Sequence, residues 1–356
     1  MKKVCLLVLF LCLFGCKDNY KQKEKIEDIE SKKEIEIVEK ELTKEDYINN
    51  KVDELGEVPI MMYHGIHNKK NDETNYTGGN VDKDGYQRTS ESFRSDLEFY
   101  YQNGYRMIKL NDYIDGNIDV ELGKSPIILT FDDGLSNNIK INGLDKGDNL
   151  IIDPNCAIGI LESFKQKYPD YNVTATFFVN GGLFQQQEYN EKIIKWLVDN
   201  GYDIGNHTWN HVNFTKVDTN RTQEEVGKIY EMLDLMIPDK YVNIIALPFG
   251  SPYSLEHENM NYIFNSYYNG KNYVTKAALR VGWKAESSPF SIHFNSKFLK
   301  RIRAYDNNGK EFDIEMNFKL LESTRYVSDG KVENIVIPQE KVNLIGNVYT
   351  KELIMY

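Results

Sequence analysis

Cysteine is scarce and poorly placed for cross-linking. Of the four in 356 residues, Cys5, Cys12 and Cys16 crowd the first sixteen positions and Cys156 stands alone. No intramolecular disulfide is expected, and a lone cysteine is more often a small buried hydrophobe than a nucleophile. Positive charge is also short. Lys and Arg number 43 against 54 Asp and Glu, for a net charge of −11. That balance argues against nucleic acid as a partner, because phosphate binding needs a basic surface. Long apolar runs are lacking too. The run Val4–Phe14, behind Lys2 and Lys3, is shorter than the about 20 residues a membrane-spanning helix needs. Histidine is rare, with six in the chain, so each one carries weight. What remains is suited to a large core. The chain is 41% hydrophobic and 12% aromatic, which excludes a disordered or fibrous class.

The apolar run ends in Leu13-Phe14-Gly15-Cys16. Residues 1–16 resemble a bacterial lipoprotein signal, in which Cys16 carries the lipid and becomes the first residue. Phe14 departs from that pattern, where a smaller residue is usual. The resemblance implies an extracytoplasmic protein anchored by lipid to the cell membrane. Residues 17–57 are strongly charged and nearly free of aromatics, so a solvated tether is expected there. From Val58 the texture changes. Strand candidates are Pro59–Tyr63, Tyr105–Leu110, Pro126–Phe131, Ala175–Val179, Tyr202–Gly205, Asn243–Leu247 and Ala278–Trp283, all short apolar or β-rich runs. Helical patterns lie between them over Ser90–Asn103, Leu161–Lys167, Asn190–Asn200 and Thr222–Met236, the last with a capping-box spacing from Thr222 to Glu225. This alternation predicts an α/β fold with about seven strands, as a parallel sheet or a (β/α) barrel. Residues 135–172 read as a surface excursion with a small hairpin. Residues 306–356 read as a β-rich C-terminal extension.

Two motifs carry chemistry. Thr130-Phe131-Asp132-Asp133-Gly134 follows the apolar run Ile127-Ile128-Leu129. Adjacent carboxylates at the end of a buried strand repel unless a cation or proton lies near, and barrel active sites sit at that end. Asn206-His207-Thr208-Trp209-Asn210-His211 follows a second short strand. The two histidines are four apart, so one helical turn would place both rings on one face. Two imidazoles and one carboxylate make a three-donor site with an open position, the pattern of a catalytic rather than a structural metal.

Thr-Phe-Asp-Asp-Gly and His-Thr-Xaa-Xaa-His are similar to the first two motifs of the polysaccharide deacetylases, the NodB-homology fold of carbohydrate esterase family four. Ala175-Thr176-Phe177-Phe178-Val179 resembles that family's next strand. The resemblance covers residues 58–305 and implies a deformed (β/α) barrel of about seven parallel strands there, with Asp132 as catalytic base and Asp133, His207 and His211 as metal ligands. Two departures stand out. The third motif usually carries an arginine that pairs with the catalytic aspartate, and here it reads Ala246-Leu247-Pro248-Phe249-Gly250. Arg301 is a candidate substitute, although an exposed surface arginine is the readier reading of it. The family's late catalytic histidine has a weak counterpart in His293, whereas Met62-Tyr63-His64 matches near the start. That early histidine resembles the permuted arrangement of poly-N-acetylglucosamine deacetylases, so His64 is taken as the catalytic acid and His67 as a surface residue. Pro248, Phe249, Trp283 and Met62 are assigned to the substrate groove.

The resemblance implies a metal-dependent hydrolase that removes N-acetyl groups from an extracellular amino-sugar polymer, of poly-N-acetylglucosamine or peptidoglycan type. One divalent ion is expected, Zn²⁺ first, with Co²⁺, Ni²⁺ or Fe²⁺ compatible with the same donors. A monomer is expected. The alternatives are an O-acetyl xylan esterase of the same family and a glycan-binding lipoprotein that has lost catalysis, for which the missing arginine is the main support.

Overall fold

The computed structural model describes residues 41–356. The expected lipidation at Cys16, the expected signal 1–16 and the expected tether up to residue 40 lie outside the described residues. Eight strands form one parallel sheet: β1 (Ile60–Tyr63), β2 (Tyr105–Met107), β3 (Ser125–Phe131), β4 (Thr176–Val179), β5 (Asp203–Asn206), β6 (Ile244–Ala246), β7 (Ala277–Leu279) and β8 (Ile302–Arg303). Their order is β7-β6-β5-β4-β3-β1-β8, with β2 alongside the start of β3. The two outer strands come together through a parallel bridge between Leu279 and Leu299, so the sheet curls into a deformed barrel.

Side chains alternate across this wall, as strand geometry requires. Ile127, Leu129 and Phe131 face outward into a cluster with Phe93 and Leu97 of helix Ser90–Gln102, Ile158 and Leu161 of helix Ala157–Lys167, and Ile193 and Ile194 of helix Asn190–Asp199. Ile128 joins a second cluster with Ile60, Phe178, Ile244 and Leu279. Each such aliphatic side chain contributes about 1.5–3 kcal/mol on burial. Strands buried on both faces read as unbroken apolar runs, which is why seven of the eight are visible in the sequence.

Several expectations need correction. Helix Thr219–Met236 starts earlier than its capping-box spacing suggests, because Asp218 caps it by accepting from Arg221 N at 2.8 Å. Helix Ala157–Lys167 starts at Cys156, a buried free thiol whose sulfur caps Gly159 N. Residues 43–57, expected to belong to a solvated tether, are folded onto the rest of the described chain. Thr43 caps helix Lys44–Asn50 through a reciprocal capping box with Asp46. Tyr47 and Val52 then pack on Val336, and Asp53 N donates to Val327 O. The C-terminal extension is not predominantly β. It contains helix Ile314–Thr324 and one parallel strand pair, Asn334–Ile337 with Glu352–Met355. Tyr326, Ile335 and Ile337 join the cluster of Val58 and Ile60, so this segment packs where the strands begin. The hairpin expected in the surface excursion is present as Ile141–Leu144 paired with Leu150–Ile152.

Candidate active site

The chemistry-bearing residues sit just past the last residues of neighbouring strands. His64 follows β1, Asp132 and Asp133 follow β3, His207 follows β5, and Leu247-Pro248-Phe249 follows β6. The ladder holds two of them directly: Asp132 N donates to Tyr63 O at 3.0 Å and His207 N donates to Val179 O at 2.9 Å. Beyond Asp132 the chain must turn sharply. Asp133 adopts φ +73° and Gly134 φ +57°, and a Cβ on Gly134 would lie 2.5 Å from Leu183 O. Glycine is therefore needed at the end of this motif.

Asp132 is buried and gripped by Arg301. Arg301 Nη1 donates to Oδ1 and Nη2 to Oδ2, each at 2.7 Å. The guanidinium is itself fully buried, and donates further to Thr130 Oγ1 at 3.1 Å and Arg280 O at 2.8 Å. Burial would raise the Asp132 pKa. The Arg301 charge outweighs it, with His207 adding to the effect, and holds the carboxyl well below its ordinary value. The reading of Arg301 as a surface residue is thus overturned. It supplies, from just ahead of β8, the charge missing from the Ala246–Gly250 motif.

Asp133, His207 and His211 converge, with one potential ligand atom from each lying within 4.8 Å of the others. His207 Nδ1 lies 2.8 Å from Ala246 O, a group that can only accept, so Nδ1 carries a proton, and in the neutral ring Nε2 presents its lone pair. That lone pair faces Asp133 Oδ1 at 3.1 Å, and His211 Nε2 lies 3.4 Å from the same oxygen. Acceptors aimed at one another call for a proton or a cation among them. The N₂O donor set fits a divalent ion with an open position. The histidines do not sit on a helical turn as their spacing suggested. They belong to an irregular turn in which Thr208 and His211 adopt φ +63° and +52°.

His64 faces the same region. Its Nδ1 is buried without a hydrogen-bond partner among the described residues, and its ring meets the edge of Tyr86 at 5.0 Å between centroids. Burial lowers its pKa, opposed by the charges of Asp132 and Asp133. His293 is exposed, and His67 is half-buried with its Nε2 2.9 Å from Gln87 Oε1. Phe249 is 54% exposed and stands edge-on to the His211 ring at 4.7 Å, and Trp283 is 57% exposed rather than packed in the barrel wall. Met62 is 1% exposed and pairs in register with Thr130, so its assignment to the groove is corrected: it is part of the barrel wall. Pro248 is also buried and shapes the turn that presents Phe249.

Residues 119–263 match the polysaccharide deacetylase family. Over 111 residues the chain is 32% identical to a peptidoglycan-N-acetylglucosamine deacetylase of Bacillus cereus, covering 31% of this chain and 32% of that protein. Over 102 residues it is 30% identical to a peptidoglycan-N-acetylglucosamine deacetylase of Listeria monocytogenes, covering 29% of this chain and 17% of that one. The matched stretch therefore spans about a third or less of these relatives' length. A polysaccharide deacetylase of Bacillus cereus with a solved structure shares the fold, with a TM-score of 0.51 at 19% identity over 75% of this chain and 69% of that chain. The likeness to polysaccharide deacetylases is thus carried by residues 119–263, less than half of the chain. Asp132, Asp133, His207, His211 and Phe249 fall inside the matched residues, whereas His64, Trp283 and Arg301 fall outside them.

Proposed function

We propose that the protein is a metal-dependent N-deacetylase of an extracellular amino-sugar polymer, held at the cell membrane through lipid on Cys16. The observation that carries this reading is the bidentate Arg301–Asp132 pair beside the Asp133, His207 and His211 donors. An ionised carboxylate kept next to an open three-donor site is suited to taking a proton from water. The same pair removes the main support for a binding protein without catalysis, because the charge missing from one strand arrives from another.

Asp133, His207 and His211 would hold the ion, Zn²⁺ being the simplest choice, and when bound it would supply Lewis acidity to the attacking water and the acetamide carbonyl. Asp132 accepts the water's proton, and Arg301 keeps it ionised and oriented for that step. The Phe249 N–H is the candidate donor to the developing oxyanion, since the next two N–H groups turn inward to Leu247 O and Pro248 O. His64 protonates the leaving amine nitrogen. Its lowered pKa makes the protonated ring a strong acid, at the cost of a smaller protonated fraction. Phe249 and Trp283 offer exposed aromatic faces to sugar rings. Acetate and a glucosamine unit are the products.

Among the described residues no helix is long and apolar enough to cross a membrane, so the anchoring reading rests on the signal-like residues 1–16. The deciding experiment measures acetate release from poly-N-acetylglucosamine oligomers, peptidoglycan and acetylated xylan, with added Zn²⁺ and after chelation. Metal-dependent release from either amino-sugar polymer is expected, and Asp132→Asn should lower it by about 10²–10⁴-fold while metal still binds. Release from xylan alone would move the reading to an O-acetyl esterase. Glycan binding with no acetate from any substrate would make it a binding protein.

A further inference from the structure

The turn that delivers His211 is strained. Thr208 is β-branched yet holds φ +63°, and His211 holds φ +52°. Such residues cost about 1–3 kcal/mol each and persist only where their surroundings over-determine them. The first imidazole has its own support, because His207 Nδ1 is tied to Ala246 O. His211 Nδ1 has no hydrogen bond among the described residues, and its ring is 34% exposed. Its aim toward Asp133 therefore depends on the backbone turn.

One side chain outside the proposed mechanism braces that turn. Glu225, on helix Thr219–Met236, is fully buried. Its Oε2 accepts from Asn210 N at 2.6 Å and its Oε1 from Asn210 Nδ2 at 2.8 Å. Its backbone carbonyl accepts from Trp209 N at 3.0 Å. The next residue secures the other end, where Val226 O accepts from Asn206 Nδ2 at 2.9 Å and Asn206 Oδ1 accepts from Thr208 N at 2.9 Å. Arg221 Nη2 meets Glu225 Oε1 at 2.5 Å and offsets the buried charge. Two donors of Asn210 need two acceptor oxygens. Glutamine has one and would turn an NH₂ toward a donor, and aspartate is one methylene too short.

We propose that Glu225 is a positioning residue of the metal centre, holding residues 208–211 in the strained form that aims His211 at Asp133. This rests on the metal-site reading above, and its readout is metal affinity rather than turnover. Zn²⁺ is titrated into the metal-free full chain against a chromophoric chelator. Glu225→Gln should weaken Zn²⁺ binding by about 10–100-fold, the usual effect of losing an outer partner of a ligand. Activity at saturating Zn²⁺ should return to within a few-fold of the parent, because no reacting atom touches Glu225. Glu224→Gln is the control. Glu224 also pairs with Arg221, at 2.7 Å, but has no contact with the turn, so Zn²⁺ affinity should not change. Should Glu225→Gln fail to fold, Asn210→Asp carries the test. Asn210 is exposed, and the new carboxylate faces Glu225 while the Glu225–Arg221 pair stays in place. Wild-type affinity in a folded Glu225→Gln, or in Asn210→Asp, overturns the proposal. If the parent chain itself binds no Zn²⁺, the metal-site reading fails on that trace alone and the positioning role falls with it.

Discussion

Asp132 and Glu54 are both sealed from water, yet their acidities part in opposite directions. Asp132 is held well below the ordinary carboxylate range, while Glu54 is pushed up to about 8. Burial acts on both alike and favours the neutral acid. The difference is a cation. Asp132 receives both arms of Arg301. Among the described residues Glu54 receives only neutral donors, Tyr326 Oη and Val336 N at 2.8 Å and Asp329 N at 3.3 Å, and it has the Asp329 charge nearby. Three hydrogen bonds without a counter-charge do not overcome desolvation, whereas one bidentate guanidinium does. The first carboxylate is thereby kept ready to accept a proton. The second already holds one at neutral pH and acts as a neutral joint between the N-terminal segment and the strand Asn334–Ile337.

The comparison breaks first at Arg301. Replacing it by methionine keeps the volume and removes the charge, so Asp132 should come to resemble Glu54. Breaking a buried pair from one side costs about 3–5 kcal/mol, because the other charge stays buried and uncompensated. Denaturant unfolding of Arg301→Met should show that loss, and acetate release should fall at least 10²-fold. Adding Asp132→Asn should recover much of the stability and none of the activity. If Arg301→Met were as stable and active as the parent, the pair would not be what sets Asp132 apart. Arg301→Lys restores charge without the planar fork and should fall between the two.

The comparison sharpens at Glu54 through pH. Its folded pKa of about 8 lies above the ordinary value of 4.5. Below about 4.5 both the folded and unfolded chains carry the proton and the group has no effect on stability. Between 4.5 and 8 the folded chain keeps a proton that the unfolded chain has released, so stability falls as pH rises. Above 8 the loss is complete, with an upper bound of about 5 kcal/mol. Glu54→Gln cannot titrate. The stability difference between variant and parent should therefore move in the variant's favour by about 1–4 kcal/mol from pH 5 to pH 9. Taking the difference cancels every other titrating group. A variant that loses ground with rising pH would show that Glu54 is ionised in the fold.

These two carboxylates also mark how far the sequence could be read. Asp132 was legible because its motif is contiguous and follows an apolar strand. Its partner was legible only as a candidate. Strand β8 has only two residues, too few to show a period, and Arg301 stands between Lys300 and Ile302 with nothing local to say which way it points. Glu54 sits in a run of charge that reads as solvated, and only Tyr47 and Val52 hint at a buried face. Helix Ile314–Thr324 was readable in principle. Asp313 caps it, and Ile314, Phe318 and Leu321 recur at helical spacing, but the β-branched residues that follow point to strands. The turn from His207 to His211 is hidden in the sequence for a different reason. A separation of four is shared by a helical turn and by a loop with two residues at positive φ, and spacing alone does not separate them.

The smallest expected effect falls on Tyr326, which tells whether neutral donors matter to Glu54 at all. The phenol is 1% exposed, and its ring packs among residues at the foot of the barrel, so Tyr326→Phe removes one oxygen and leaves the shape unchanged. Its hydrogen bond to Glu54 lowers that residue's pKa, so its loss should raise the pKa further. At pH 5 Glu54 is neutral in the fold, and the bond should be worth about 0.5–1.5 kcal/mol. At pH 9 the carboxylate is charged, and the same bond should be worth about 1.5–3 kcal/mol. The cost of Tyr326→Phe should thus grow with pH, opposite in sign to the trend for Glu54→Gln. In the Glu54→Gln background the growth should vanish, since the acceptor no longer acquires charge. A cost that stays flat with pH in both backgrounds would mean that Tyr326 serves the barrel floor by packing alone, and that burial and the Asp329 charge set the proton on Glu54 without help from its hydrogen bonds.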